Sequence, residues 1–458
     1  MLKPLTVVNA GIAIAALALF FWPVPEGMPP DVFRAAGLLV FCAGFWATQA
    51  MPEHVTGLLF LLLVVLTAVA PPATVFSGFM SGTLWLVLGG LIVAEAVRHT
   101  GLGERLAGAL LGRHESSYPG SIIALVVVGT LLAFVMPATI GRVLLLVPMA
   151  AAIANRQGHG PGSAGYNGLC LAAIFGTYQG GATILPANAP NLVLAGAAET
   201  VHQVHLNYGE YFLVQFPVMG VMKLVLVVWL ALKLFPAVPV ATAAARERKP
   251  MTAPEWRLAL VLVVSLLLWA TDFLHGIRAG WIGLGAGLAC MLPRVGVVPP
   301  SAFNERIRFG PYFYIGAVLG LGAVLNESGL SVALGEAALA HLSLQPGADA
   351  WNFTVLTFGA SLVGLLTTNP TMPGVLTPLA GPIMEATGWP LMAVLMLCAV
   401  GFSQVLLPYQ IPPMVVGLQA AAIGLRASAR YTLALSAASF VLLTPLNYLW
   451  WRVIGYFG

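Results

Sequence analysis

Charge is what this sequence has least of. Of its 458 residues only 8% are Asp, Glu, Lys or Arg, against about 25% in soluble globular domains. A chain so depleted cannot cover a water-facing surface with polar groups. Its net charge of +4 is small and scattered, so no basic face is offered to a nucleic acid. Cysteine is scarce too. Cys42, Cys170, Cys290 and Cys398 lie far apart in apolar stretches, which favours core packing over disulfides or a metal cluster. The groups that an integral membrane enzyme needs are also missing: no nucleophile with its base, acid pair or metal set stands out. His202 and His205 have a metal-compatible i,i+3 spacing, but no third ligand is evident and a solvated outer loop is the expectation.

Apolar residues fill the space that charge leaves. They make up 59% of the chain and recur in long runs divided by short polar joints. About 20 apolar residues cross the hydrocarbon core as a helix, and backbone in lipid must satisfy its own hydrogen bonds. Residues 54–70 and 256–270 show no inside-outside alternation, which excludes a membrane barrel. The expected spans are 5–22, 33–50, 54–70, 81–97, 166–205, 210–235, 256–274, 278–296, 310–329, 388–426 and 430–455. The run from Leu5 to Trp22 lacks a small-residue cleavage site and reads as a retained first helix. Two further regions, 119–156 and 351–386, are each interrupted by a polar, Pro-containing centre: Met136 to Arg142 in one, Thr367 to Pro373 in the other. Proline removes a backbone donor and clashes with the preceding turn, so each region is expected to be a re-entrant hairpin.

The joints support this topology. With the N-terminus inside and both hairpins non-crossing, Lys3, Arg98, Arg105, Arg113, Arg156, Arg246, Arg248, Lys249, Arg257, Arg294, Arg306, Arg308, Arg426 and Arg430 fall on the inner side. The outer joints hold Arg34, Arg278 and Arg452, with Glu199, Glu210, Glu336, Asp349 and Glu385. That bias follows the positive-inside rule. It predicts eleven spans plus two hairpins in a cell inner (plasma) membrane, with a cytoplasmic N-terminus and an outside C-terminus.

The chain also resembles itself. Gly101-Leu102 matches Gly329-Leu330, Pro148 in residues 145–150 matches Pro378 in residues 375–380, and Pro186 matches Pro408. The offsets are 228, 230 and 222 positions. On the assigned topology the two copies have opposite orientation, as inverted repeats do in many transporters. Each copy carries one hairpin and one long helix broken by a Pro pair, at 186–190 or 408–413. Such breaks free amides that bind anions and carbonyls that bind small cations. Short polar side chains crowd them: Thr139, Tyr178, Gln179, Thr183, Asn188 and Asn191 in the first copy, Thr367, Thr368, Asn369, Thr371, Ser403, Gln404, Tyr409 and Gln410 in the second. Arg142 stands at the first tip. A charge at membrane depth is costly and usually functional, and a guanidinium suits carboxylate or sulfate-like oxygens. With no carboxylate in the cluster, a bound anion is its expected partner. A tip near the inner surface, with Arg142 snorkelling, is the alternative.

Residues 78–90, Gly-Phe-Met-Ser-Gly-Thr-Leu-Trp-Leu-Val-Leu-Gly-Gly, are followed by Thr100-Gly101-Leu102 and Arg105 and preceded by Trp46 to Pro52 and Thr56-Gly57-Leu58. They resemble the divalent anion/sodium symporters, the INDY-like dicarboxylate, citrate and sulfate carriers of the ion transporter superfamily. The resemblance covers essentially the whole chain. It implies a homodimer in membrane lipid whose protomers each have a scaffold and a transport domain that moves as an elevator. Residues 1–80 would be N-terminal scaffold helices, 81–235 the first repeat, 236–309 a linker with scaffold helices, and 310–458 the second repeat. The family's hairpin tips carry Ser-Asn-Thr. Here the second tip is Thr368-Asn369-Pro370 and the first Ala138-Thr139-Ile140, without the asparagine and with Arg142 two residues on.

Substrate ligands are therefore expected among Thr139, Arg142, Asn188 and Asn191 in the first repeat, and Thr368, Asn369, Thr371, Gln410 and Pro412 in the second. Thr367 and Asn369 are the expected ligands of any sodium ion; no other cofactor is expected. Arg142 in place of the first sodium puts sodium coupling in question. The expected function is secondary transport of a small anion, a di- or tricarboxylate first and a sulfate-like oxyanion next. An arsenite permease or sodium/proton exchanger of the same superfamily is the alternative. An exchanger would need a buried acid near the breaks, and Glu95 and Glu327, the nearest, sit toward helix ends.

Overall fold

A computed structural model describes residues 4–111, 117–238, 250–299 and 301–457. Lys3, Arg113, Arg246, Arg248 and Lys249 lie outside the described residues. Among those described there is helix and no strand. The helices, leaving out four-residue turns, are α1 (Pro4–Phe20), α2 (Val32–Thr48), α3 (Glu53–Thr67), α4 (Gly82–Thr100), α5 (Leu102–Leu111), α6 (Tyr118–Val135), α7 (Thr139–Arg156), α8 (Ala164–Ala182), α9 (Ala189–His202) and α10 (Tyr208–Leu234). They continue with α11 (Ala253–Ala270), α12 (Ala279–Met291), α13 (Gly310–Glu327), α14 (Leu330–Leu342), α15 (Asp349–Leu366), α16 (Met372–Leu376), α17 (Ala380–Thr387), α18 (Leu391–Ser403), α19 (Pro412–Ala420) and α20 (Leu425–Val453). Seven of the described helices are long and apolar enough to cross a membrane, or eight if the bent pair α13–α14 is one span.

The order of elements occurs twice. A long helix (α4, α13) ends at a glycine with φ +75°, Gly101 or Gly329, and a shorter helix (α5, α14) leaves it; the second pair bends by 77°. Only glycine adopts that left-handed turn without a Cβ penalty. Next come a helix pair with a short tip (α6–α7, α15–α17), a broken helix (α8–α9, α18–α19), and a long helix interrupted by π-turns, at Phe216–Met222 in α10 and Ser439–Leu443 in α20. Helices α5 and α14 fall where only joints are expected from hydropathy. They carry Glu104, Arg105, Glu336 and His341 within ten and thirteen residues, too short and too polar to register as spans.

The two broken helices form the core. Residues 168–188 and 393–405 are buried without interruption, as expected of helices apolar all round. Both arms of the first hairpin pack on α8, so its tip is held against the first break. Its outgoing arm α7 runs unbroken through Pro148. The outgoing arm of the second is divided, with a 3-10 turn Thr377–Leu379 between α16 and α17, so the matched prolines have different local roles. All four cysteines are free and buried.

Candidate functional site

The first tip meets the first break. The chain is extended at Met136 and Ala138 between α6 and α7. Beyond α8 it passes through a 3-10 turn, Leu185–Ala187, and is extended again at Asn188 before α9. Arg142, in the first turn of α7, is 0% exposed, which rules out snorkelling to water. Its Nη1 donates to the Met136 carbonyl. Its Nη2 donates to Ala187 O at 3.0 Å, Thr139 Oγ1 at 3.2 Å and Thr177 O at 3.4 Å. No carboxylate pairs with it among the described residues, and its Nε has no partner there. A buried charge costs several kcal/mol by most scales; here peptide dipoles offset that cost. One positive charge among oxygen acceptors is also what a small hard cation is offered. Gly181 makes the room, since a Cβ on it would stand 2.5 Å from Arg142 Nη2.

Around this guanidinium, Thr139 Oγ1 reaches Asn188 Oδ1 at 3.0 Å and Ala187 O at 3.3 Å. Asn191 spends its amide on the break itself, donating to Gly181 O at 2.9 Å and Ile184 O at 2.8 Å. Both carbonyls also accept backbone amides, Gly181 O from Ile184 at 3.2 Å and Ile184 O from Ala187 at 2.9 Å, so Asn191 adds a side-chain brace across the break. Asn188 Nδ2 and Asn191 Oδ1 remain buried without a partner among the described residues, which marks them as polar atoms available to a ligand.

The second tip meets the second break in a related way. Asn369 donates through Nδ2 to Phe402 O at 2.6 Å and Tyr178 Oη at 3.2 Å. Its Oδ1 accepts from Gln410 Nε2 at 3.3 Å, and its amide donates to Gln410 O at 2.9 Å. Thr367 turns back on its own helix, to Val363 O at 2.8 Å. Thr368 and Thr371 join hydroxyls at 2.9 Å, and Thr371 meets Tyr314 Oη of α13 at 2.9 Å. Pro412 opens α19, where a missing N–H is harmless.

One tripeptide joins the two clusters. Thr177 offers its carbonyl to Arg142, Tyr178 donates to Phe402 O at 3.0 Å, and Gln179 donates to Ser403 O at 3.1 Å. The expected residues thus form two adjoining nests linked through α8. Lys223 is a functional candidate that the reading of hydropathy passes over. It lies in α10 directly after the π-turns and is 0% exposed. Its Nζ donates to Ser403 O at 2.7 Å, with Ser403 Oγ and Gln404 Oε1 at 3.3 Å. The signal was present: Lys223 is the one charged residue in the run 211–232.

The two ends of α4 gather the charges. Near its C-terminus Glu95 pairs with Arg98 at 2.6 Å and Arg306 at 3.8 Å, while Arg105 on α5 meets Glu255 at 2.6 Å. At its N-terminus, Glu199 from α9 accepts from Ser81 Oγ at 2.6 Å and the amides of Gly82 and Thr83 at 3.1 and 3.3 Å. Arg278 and His205 stand 3.7 and 3.8 Å from it. Residues assigned to one side by the charge bias therefore meet one another. His202 is not simply solvated: its Nε2 contacts Thr377 O at 2.8 Å. No metal-competent group of His, Cys, Asp or Glu occurs among the described residues.

The model of the sodium:sulfate symporter transmembrane region matches residues 5–457. A membrane protein of Cupriavidus necator is 24% identical, with 97% of this chain and 92% of that one covered. A putative malate transporter of Bacillus subtilis is 22% identical over 69% of this chain and 68% of its own. Among solved structures, the YdaH transporter of Alcanivorax borkumensis superposes with a TM-score of 0.58 at 16% identity, covering 94% of this chain and 99% of that one. At that identity the likeness concerns the fold.

Proposed function

Because the chain belongs to the sodium:sulfate symporter family, the divalent anion/sodium symporters, we propose that it is a secondary active transporter of small anions, di- or tricarboxylates first. A putative malate transporter among its relatives supports a dicarboxylate. The two nests would form a single site, where Asn188 Nδ2 and the amides opening α9 face the anion. Helix N-termini favour negative charge. The elevator motion, the homodimer and the opposite orientation of the two repeats belong to this reading; the recurring element order and the charge bias support the last. The protein would sit in the cell's plasma membrane with its N-terminus cytoplasmic and its C-terminus outside.

The observation that carries the coupling is the cage around Arg142. Its guanidinium takes up the carbonyls of Met136, Thr177 and Ala187, the acceptors a sodium ion would need at the first break. A second cation beside it would be repelled. Arg142 thus acts as a tethered cation in place of the first sodium, and the anion is met through its field and through the neighbouring amides rather than by a free guanidinium fork. An exchanger built on a buried acid has less support: Glu95 is paired with Arg98 and Arg306, and Glu327 is exposed.

Uptake of radiolabelled malate into proteoliposomes, by the parent and by Arg142→Ala, tests this. The variant should lose at least ~10-fold in sodium-free medium, about 1.4 kcal/mol of stabilisation, and recover in part with sodium. Equal uptake with the same ion dependence sinks the reading.

A further inference from the structure

Lys223 has no part in the scheme so far, yet it is as deeply buried as Arg142. A lysine in a membrane helix that neither reaches an interface nor meets an acid needs a reason. Among the described residues no carboxylate pairs with it. Its three bonds all go to the end of α18: Ser403 O, Ser403 Oγ and Gln404 Oε1. The last carbonyls of a helix lack intrahelical donors and carry the negative end of its dipole. A broken membrane helix usually offers such oxygens to a sodium ion or proton.

The parallel with Arg142 is close. Each cation is caught by oxygens at a helix break: Thr177 near the end of α8 and Ala187 in the 3-10 turn beyond it at one, Ser403 and Gln404 at the end of α18 at the other. They come from different elements, Arg142 from a hairpin tip and Lys223 from the helix that follows the first break. Thr367 and Asn369 are engaged as well. The Thr367 hydroxyl donates to Val363 O, and Asn369 Oδ1 accepts from Gln410.

We infer that Lys223 is a tethered cation occupying the second cation position, so that this carrier binds sodium at neither break and sets two fixed positive charges against a divalent anion. The inference rests on reading residues 402–410 as half of the transport site. At this second position sodium would become a ligand only when the ammonium is removed. A purely structural Lys223, tying α10 to α18, would not create that sensitivity.

The test follows thermal unfolding of the purified protein while sodium chloride, potassium chloride or choline chloride is titrated. It needs no transported anion, so failure of the carboxylate reading is not mistaken for failure here. The parent should melt at the same temperature in all three salts. Lys223→Ala should melt lower in choline and regain a few degrees selectively in about 100 mM sodium, since a ligand stabilises the state that binds it. Lys223→Arg, which keeps the charge, should stay indifferent to the cation. A saturable, sodium-specific rise in the parent overturns the inference whatever the variants do. So does a folded Lys223→Ala that melts alike in sodium and choline.

Discussion

Tyr178 donates its phenolic hydroxyl to the carbonyl of Phe402 across 3.0 Å, and the two residues stand 224 positions apart. Gln179 and Ser403, in contact at 3.1 Å, have the same separation. That figure lies within the 222 to 230 positions by which the two halves of the sequence match. In the inverted-repeat reading, α8 and α18 would meet near the axis relating the two copies. Tyr178 also receives Asn369 of the second tip. Tyr178→Phe removes this junction without removing its ring. It should lower stability by about 0.5–1.5 kcal/mol per hydrogen bond lost and reduce transport more than Tyr211→Phe, whose hydroxyl serves only Ala182 O among the described residues. Paired melting and malate uptake curves check this.

Gly181 bounds the Arg142 cage. A Cβ at this position would stand 2.5 Å from Nη2, closer than real Cβ contacts come, and the guanidinium would have to leave the carbonyls of Thr177 and Ala187. Gly181→Ala should therefore resemble Arg142→Ala in its ion dependence although no charge is lost. The measurement is malate uptake in sodium and in choline; wild-type behaviour in both would contradict the cage.

Glu199 ties the end of α9 to the start of α4 through Ser81, Gly82 and Thr83. A carboxylate at a helix N-terminus meets unpaired amides and the positive end of the dipole. Glu199→Gln keeps the shape and removes the charge, and should cost about 1 kcal/mol. If α9 moves past α4 in the elevator reading, this contact breaks in each cycle. The variant should then melt lower while its turnover per folded protein does not fall; a drop in turnover equal to that of Arg142→Ala would place Glu199 in the site instead.

All four cysteines are buried, so the parent should resist a membrane-impermeant maleimide. Arg257 and Glu336 are exposed and are assigned to opposite sides. In intact cells Glu336→Cys should label and Arg257→Cys should label only after permeabilisation. The reverse pattern would invert the assigned orientation.

Much of the fold was legible because membrane helices announce themselves by length and hydropathy, and the breaks by Pro186, Pro190, Pro408 and Pro412. The tips were legible from polar residues inside apolar runs. Helices α5 and α14 were not, being short and partly polar. Nor was the engagement of Asn191 and Thr371, because a side chain's partner depends on which distant carbonyl or hydroxyl arrives beside it: Gly181 and Ile184 for one, Tyr314 for the other. Lys223 was visible as a lone charge in an apolar run, but only its contact with Ser403 and Gln404 gives it a meaning equal to that of Arg142.

The most direct test of the account is exchange of radiolabelled malate against internal malate in proteoliposomes, with all sodium replaced by choline. The account predicts saturable exchange whose rate in choline stays within about two-fold of that in sodium, a difference below ~0.5 kcal/mol. Exchange that vanishes in choline and returns with sodium would contradict it.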